Sequence, residues 1–168
     1  MLTSYILQIM MRDLRTLERE VRAYPDDASL WEAGDGLPNS GGTLAIHLAG
    51  NLRHFVGAVL GRSGYVRDRD EEFGARGLTR EQVVERLEAA IADLEAAGER
   101  VTDDMLEQPY PIALRDMTFA TGDFLLHLIA HSGYHIGQVD YHRRALTSSK
   151  EGIGAMPIPE MASAKQAG

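Results

Sequence analysis

The stretch from Thr121 to Leu146 constrains the fold most. Its histidines His127, His131 and His135 stand four residues apart. On an α-helix each step of four drifts by only about 40°, so the three imidazoles share a face. Gln138, His142 and Phe124 fall within the same arc, and Phe124 marks that arc as inward-facing. An inward stripe of imidazoles is costly unless its polar groups find partners. The fold therefore has to bring a second polar face against this one.

A helix predicted over Thr43–Leu60 supplies that face. His47, Asn51 and His54 are spaced four and three apart, and Leu44, Phe55 and Ala58 flank them. Two inward faces bearing imidazoles can meet at one point in a bundle core. Two histidines at i and i+4 can aim nitrogens at one ion at roughly 2.0–2.1 Å, and a third from another helix leaves a position open for water or substrate. His47 is the preferred third ligand. The pair His131 and His135 is preferred because Gly133 and Gly137 bracket His135 and admit a close neighbour; the competing trio is His47, His127 and His131. His54 and His127 are then candidates for acid/base groups or pocket lining, and Gln138 for a group that orients a ligand. Imidazole donors suit Zn²⁺, Ni²⁺, Cu²⁺ or Fe²⁺ without choosing among them.

Other chemistries are excluded. The chain has no Cys among its 168 residues, which removes disulfides, thiolate zinc sites, iron–sulfur clusters and a cysteine nucleophile. Neither Glu-x-x-His nor His-Glu-x-x-His occurs, which argues against a carboxylate-bridged di-iron site and a metzincin-type zinc site. The net charge of −8 argues against a broad nucleic-acid surface. The apolar start, Met1–Met11, lacks a basic leader region, and no apolar run approaches the ~20 residues of a membrane span. The expectation is a cytoplasmic protein with neither nucleic-acid nor membrane partners.

The remaining segments are also helical. Ile6, Met10, Leu14, Leu17, Val21 and Tyr24 recur at spacings of three and four, and Tyr24-Pro25 ends that helix. Pro25–Gly42 reads as a connector whose Trp31 docks on the bundle. Gly50, Gly57 and Gly61 weaken the second helix unless a neighbour approaches closely there. Gly61–Gly77 reads as a charged loop, in which Arg67 and Arg69 are candidate anion contacts. Thr79 and Gln82 form a capping box for a third helix with Val83, Val84, Leu87, Ile91 and Leu94 buried, ending near Gly98. The fourth helix spans about Thr121–Leu146. Four long amphipathic segments without strands predict an all-α four-helix bundle over residues 1–146 with long inter-helix connections. Residues 147–168 read as a tail, mobile or draped on the surface.

The pieces His47-Leu-Ala-Gly-Asn51-Leu-Arg-His54, Arg67-Asp-Arg-Asp-Glu-Glu-Phe73 and His131-Ser-Gly-Tyr-His135-Ile-Gly-Gln138 resemble the DinB-like (DinB/YfiT-like) superfamily of metalloenzymes, and an uncharacterised subfamily of it in particular. The resemblance covers about residues 1–146. It implies a four-helix bundle of unusual connectivity, often a homodimer, holding one divalent ion through His47, His131 and His135. Zn or Ni comes first, with Fe, Mn or Cu as alternatives. Relatives of this kind include metal-dependent transferases and isomerases that use low-molecular-weight thiols, so it also implies a small-molecule substrate, such a thiol among the candidates, and thiol transfer or hydrolysis. The competing reading is a non-catalytic metal-binding or stress-related protein whose metal site is structural.

Overall fold

The computed structural model describes residues 1–166. Its helices are α1 (Leu2–Arg22), α2 (Asp27–Trp31), α3 (Gly41–Leu52), α4 (Arg69–Gly74), α5 (Arg80–Ala97) and α6 (Thr121–Thr147). A π-helical turn, Arg53–Ala58, continues α3. Among the described residues, β structure is confined to isolated bridges at Pro109–Ala120 and Leu114–Met117. The chain is therefore all-α, as the periodicity predicts. No helix among the described residues is long and apolar enough to cross a membrane.

α1 packs on α5 and α6, and α3 packs on the same two helices. The successive long helices α1 and α3 thus sit across the bundle from each other rather than forming a simple up-and-down hairpin. The core between them is built from Met10, Leu14, Leu17, Leu48, Leu52, Leu87, Leu94, Leu125 and Leu128, all essentially inaccessible to solvent. Burying a side chain of this size contributes roughly 1.5–3 kcal/mol.

Local signals set the helix starts. Thr79 and Gln82 make the full capping box on α5: Gln82 N donates to Thr79 Oγ1 at 3.2 Å and Thr79 N donates to Gln82 Oε1 at 2.9 Å. Ser40 caps α3 by accepting from Thr43 N. Trp31 does dock on the bundle, donating from Nε1 to Leu78 O at 2.7 Å with its ring over Gly42.

Two short helices interrupt segments read as connectors. α2 begins at Asp26, which accepts from Ser29 N, and α4 begins at Asp68, which accepts from Glu71 N. Both are Asp-initiated single turns, too short to show an apolar period. The π turn was likewise outside the pattern. A wide turn advances each residue by less than 100°, so it shifts the register after Leu52.

The close approaches expected at Gly50, Gly57 and Gly61 are present, whereas those expected at Gly133 and Gly137 are not: a Cβ at Gly133 would meet only Met156 Cε at 3.5 Å, and one at Gly137 nothing within 4 Å. A Cβ at Gly57 would lie 2.9 Å from Asp93 Cβ, and one at Gly61 would lie 2.7 Å from Ala97 Cβ, so both residues let α5 pack directly on this segment. Beyond α6, Ser148 turns the chain in the left-handed conformation (φ 54°). The following segment forms a 3₁₀ turn at Ile158–Glu160, where Glu160 pairs with Arg19 of α1 at 3.2 Å.

Gly61→Ala is expected to destabilise the protein by about 1–3 kcal/mol, because the new methyl meets both Ala97 and the Gly57 carbonyl. Gly137→Ala, where no atom lies within 4 Å of the added Cβ, is expected to be neutral or stabilising by up to about 1 kcal/mol. Urea melts of the two variants check this contrast.

Candidate metal centre

The histidines of α6 do not form a single buried stripe. Leu125, Leu128, Ser132, Ile136 and Val139 take the inward positions. His131 and His135 flank that row and are half-buried, while His127 and Gln138 are exposed. His142 is buried but leaves the group: its Nδ1 meets the Tyr24 hydroxyl at 2.7 Å and its Nε2 donates to Glu32 O at 2.8 Å. It is a hydrogen-bonded core histidine joining α6 to Tyr24, just past the end of α1, and to the connector after α2.

His47, His131 and His135 converge. One nitrogen from each lies within 4.8 Å of the others. The ring of His47 sits edge-on to both partners, with centroids 5.4 Å away in each case. His131 Nε2 and His135 Nε2 are 3.1 Å apart. Two nitrogens bound to one ion at roughly 2.0–2.1 Å would lie about 3–3.5 Å apart, so this pair fits a shared ion. His127 stays outside the group, stacked with its centroid 6.1 Å from that of His131. The geometry therefore brings together the preferred trio and not the competing one.

Two of the three rings have their tautomer fixed from behind. His47 Nδ1 donates to Glu72 Oε2 at 3.0 Å, and His135 Nδ1 donates to Gln138 Oε1 at 2.6 Å. Each bond keeps the proton on Nδ1 and leaves the Nε2 lone pair for a ligand, as partners behind metal-binding imidazoles do. Gln138 thus hydrogen-bonds its helix neighbour His135.

Glu72 was not singled out from the sequence. It is almost fully buried on α4, and its carboxylate also accepts from Arg67 Nε at 2.6 Å and Arg67 Nη2 at 2.8 Å. A side chain at Gly50 would overlap the Glu72 carboxylate, so the glycine three residues after His47 makes the space for it. Phe73 packs against the other side of the His47 ring, with centroids 4.8 Å apart. The signal available in the sequence was the Asp68 cap followed by an acidic first turn, opposite a glycine at 50.

The two candidate anion contacts have other surroundings. Arg67 is committed to Glu72 through two nitrogens and lies over the Phe55 ring. Arg69 is exposed, with its guanidinium 4.8 Å from the Phe73 ring centroid. Neither lines the cavity beside the histidines. That cavity measures about 610 Å³ and is bounded by Asn51, Phe55, Phe119, Phe124, His127 and His131, with Arg115 and Asp123 also on its wall. His54 does not line it; the π turn sets His54 against Phe55 instead, with centroids 4.8 Å apart.

The electrostatics favour neutral imidazoles. Burial, reinforced by the neighbouring His135, His47, His127 and Arg67, pushes the His131 pKa down to about 4. Burial also lowers His135, against the opposing hydrogen bond from Gln138. Burial lowers His54 as well, helped by Arg67. For Glu72, burial raises the pKa, but the hydrogen bonds from Arg67 and His47 outweigh it and hold the carboxyl below its ordinary value. His131 and His135 are thus held toward the unprotonated form, with an ionised carboxylate behind His47.

The depressed His131 pKa fixes the sign of an acid effect. Between its ordinary 6.5 and about 4, the unfolded chain takes up a proton that the folded chain refuses. Metal-free protein is therefore expected to lose stability as pH falls through that window, and His131→Gln to show a shallower fall. Urea melts at pH 7 and pH 5 check this; identical slopes would refute it. Glu72→Gln is expected to weaken zinc binding by roughly 10–100-fold, measured by competition with a chelator.

A search of curated proteins finds no match to this chain. A protein-family model described as "Protein of unknown function (DUF1572)" matches residues 3–159, which takes in all three histidines, Glu72 and the start of the segment after α6. The chain belongs to the DUF1572 family.

Proposed function

We propose that the protein is a metal-dependent enzyme with a DinB-like bundle, in which His47, His131 and His135 hold one divalent transition-metal ion beside the cavity. The observation that carries this reading is the convergence of three imidazole nitrogens within 4.8 Å, with Glu72 and Gln138 behind two of the rings. Three protein donors match the count in catalytic zinc sites and fall one short of closed structural sites, so the donor count favours an enzyme over a structural metal site. Such an ion supplies Lewis acidity that eases deprotonation of a water or thiol ligand.

The chain's own residues supply the rest. Glu72, fixed by Arg67, holds His47 in one orientation. His127 lines the cavity next to His131 and is exposed, so its ring can accept or return a proton there. Phe55, Phe119 and Phe124 give the cavity an apolar wall that restricts water. Because the chain contains no Cys, a thiol reaction would draw its sulfur from a diffusible substrate.

Elemental analysis of protein purified without a polyhistidine tag tests this reading. The expected result is close to one transition-metal ion per chain, lost in His131→Ala. His127→Ala is expected to keep the metal and lower turnover by roughly 10²–10⁴-fold in a screen of thiol-transfer and hydrolysis substrates. Stoichiometric metal in His131→Ala would contradict the assignment.

A further inference from the structure

The cavity carries unpaired groups of both signs. Residues 109–120 form a small hairpin over its mouth: Tyr110 N donates to Phe119 O at 2.9 Å, and Leu114 and Met117 exchange backbone hydrogen bonds at 3.0 Å. The two residues at its tip are Arg115 (φ 51°) and Asp116 (φ 62°). Two consecutive positive φ values make a tight turn that usually selects Asn-Gly, and side chains there are strained. The turn holds Arg115 at the cavity wall with that strained backbone.

The nearby ion pairs join Arg67 to Glu72 and Arg53 to Asp93. Among the described residues, Arg115 and Asp123 pair neither with each other nor with another charge, although both line the cavity. Asn51 lines it too and is more than nine-tenths buried, and its Oδ1 is sealed from solvent without a hydrogen-bond partner. That oxygen is closed to a water-sized probe and so out of a ligand's reach, which leaves Arg115 and Asp123 as the charged groups a ligand meets. Between the polar groups stand Phe55, Phe119 and Phe124, whose rings pack edge-to-face or tilted with centroids 4.9–5.1 Å apart.

We infer that this cavity binds a zwitterionic, amino-acid-type group on an apolar body, with the carboxylate at Arg115, the ammonium facing Asp123, and the apolar part against the phenylalanines. This deepens the metal-enzyme reading by naming the substrate class, and it rests on that reading only for the reaction that follows binding. A phosphate dianion fits worse, because Asp123 repels it. A purely apolar ligand would use neither Arg115 nor Asp123.

Calorimetric titration with L-phenylalanine, 3-phenylpropionate and 2-phenylethylamine tests the inference. It is run on zinc-loaded protein and on metal-free protein, where chelation of an ion by the amino acid cannot mimic the result. L-Phenylalanine is expected to bind about tenfold or more tightly than either singly charged probe in both forms. Arg115→Ala should remove its advantage over 2-phenylethylamine, and Asp123→Asn its advantage over 3-phenylpropionate. Both residues are exposed and unpaired, so both variants are expected to keep the wild-type melting temperature and zinc content. Equal binding of the three probes, no binding of any, or a preference unchanged in both variants would overturn the inference. Zinc stoichiometry measured on the same samples keeps the two readings apart. Full zinc with no probe preference refutes the substrate class alone, and absent zinc with the preference intact refutes the metal reading alone.

Discussion

The buried carboxylate of Glu72 is the constraint on which the site depends. It accepts from His47 on one side and from two Arg67 nitrogens on the other, at 2.6–3.0 Å. Removing a carboxylate from water is costly unless its oxygens are satisfied, and here each oxygen accepts from Arg67 and one also from the imidazole. Three elements are tied together by that requirement: α3 through His47, the loop before α4 through Arg67, and α4 through Glu72 itself. Gly50 is what lets the carboxylate reach that position. The consequence is functional as well as structural, because the bond to Glu72 directs the His47 lone pair toward α6.

A second polar network sets where α6 lies. Arg143 donates to Glu20 at 2.6 Å with both side chains nearly inaccessible, and His142 bonds to Tyr24 one residue earlier. Breaking a buried pair of this kind leaves an uncompensated charge in the core, so sliding α6 along α1 is strongly penalised. His131 and His135 lie two to three turns back along the same helix. Their position opposite His47 is therefore fixed by a register lock far from the site, and by the apolar row from Leu125 to Val139 beside them.

Much of this was legible in the sequence because helices advertise their periodicity. The apolar spacing in α1, the Thr79–Gln82 capping box in α5 and the four-residue histidine steps in α6 all appear as written. The choice of His131 with His135 over His127 with His131 also agrees with the geometry, although no neighbour approaches closely at Gly133 or Gly137 as that choice assumed. What the sequence hid was non-local or aperiodic. Glu72 sits in a six-residue helix too short for a pattern, and its meaning depends on Gly50 and Arg67 from elsewhere in the chain. The π turn that holds His54 came without any Pro to announce it. The burial of the α6 arc was overestimated, since Phe124 is buried while His127, three residues on, is exposed. Arg115 came to the cavity through a hairpin tip with positive φ, on residues that do not ordinarily signal such a turn.

The central claim is that three imidazoles, and not two or four, meet at one ion. X-ray absorption at the metal edge of tag-free protein loaded with one equivalent of zinc measures this directly. The account predicts scattering from three imidazole rings with Zn–N distances of roughly 2.0–2.1 Å, falling to two rings in His47→Ala. A spectrum with no ordered imidazole scattering, or one unchanged by His47→Ala, would contradict it.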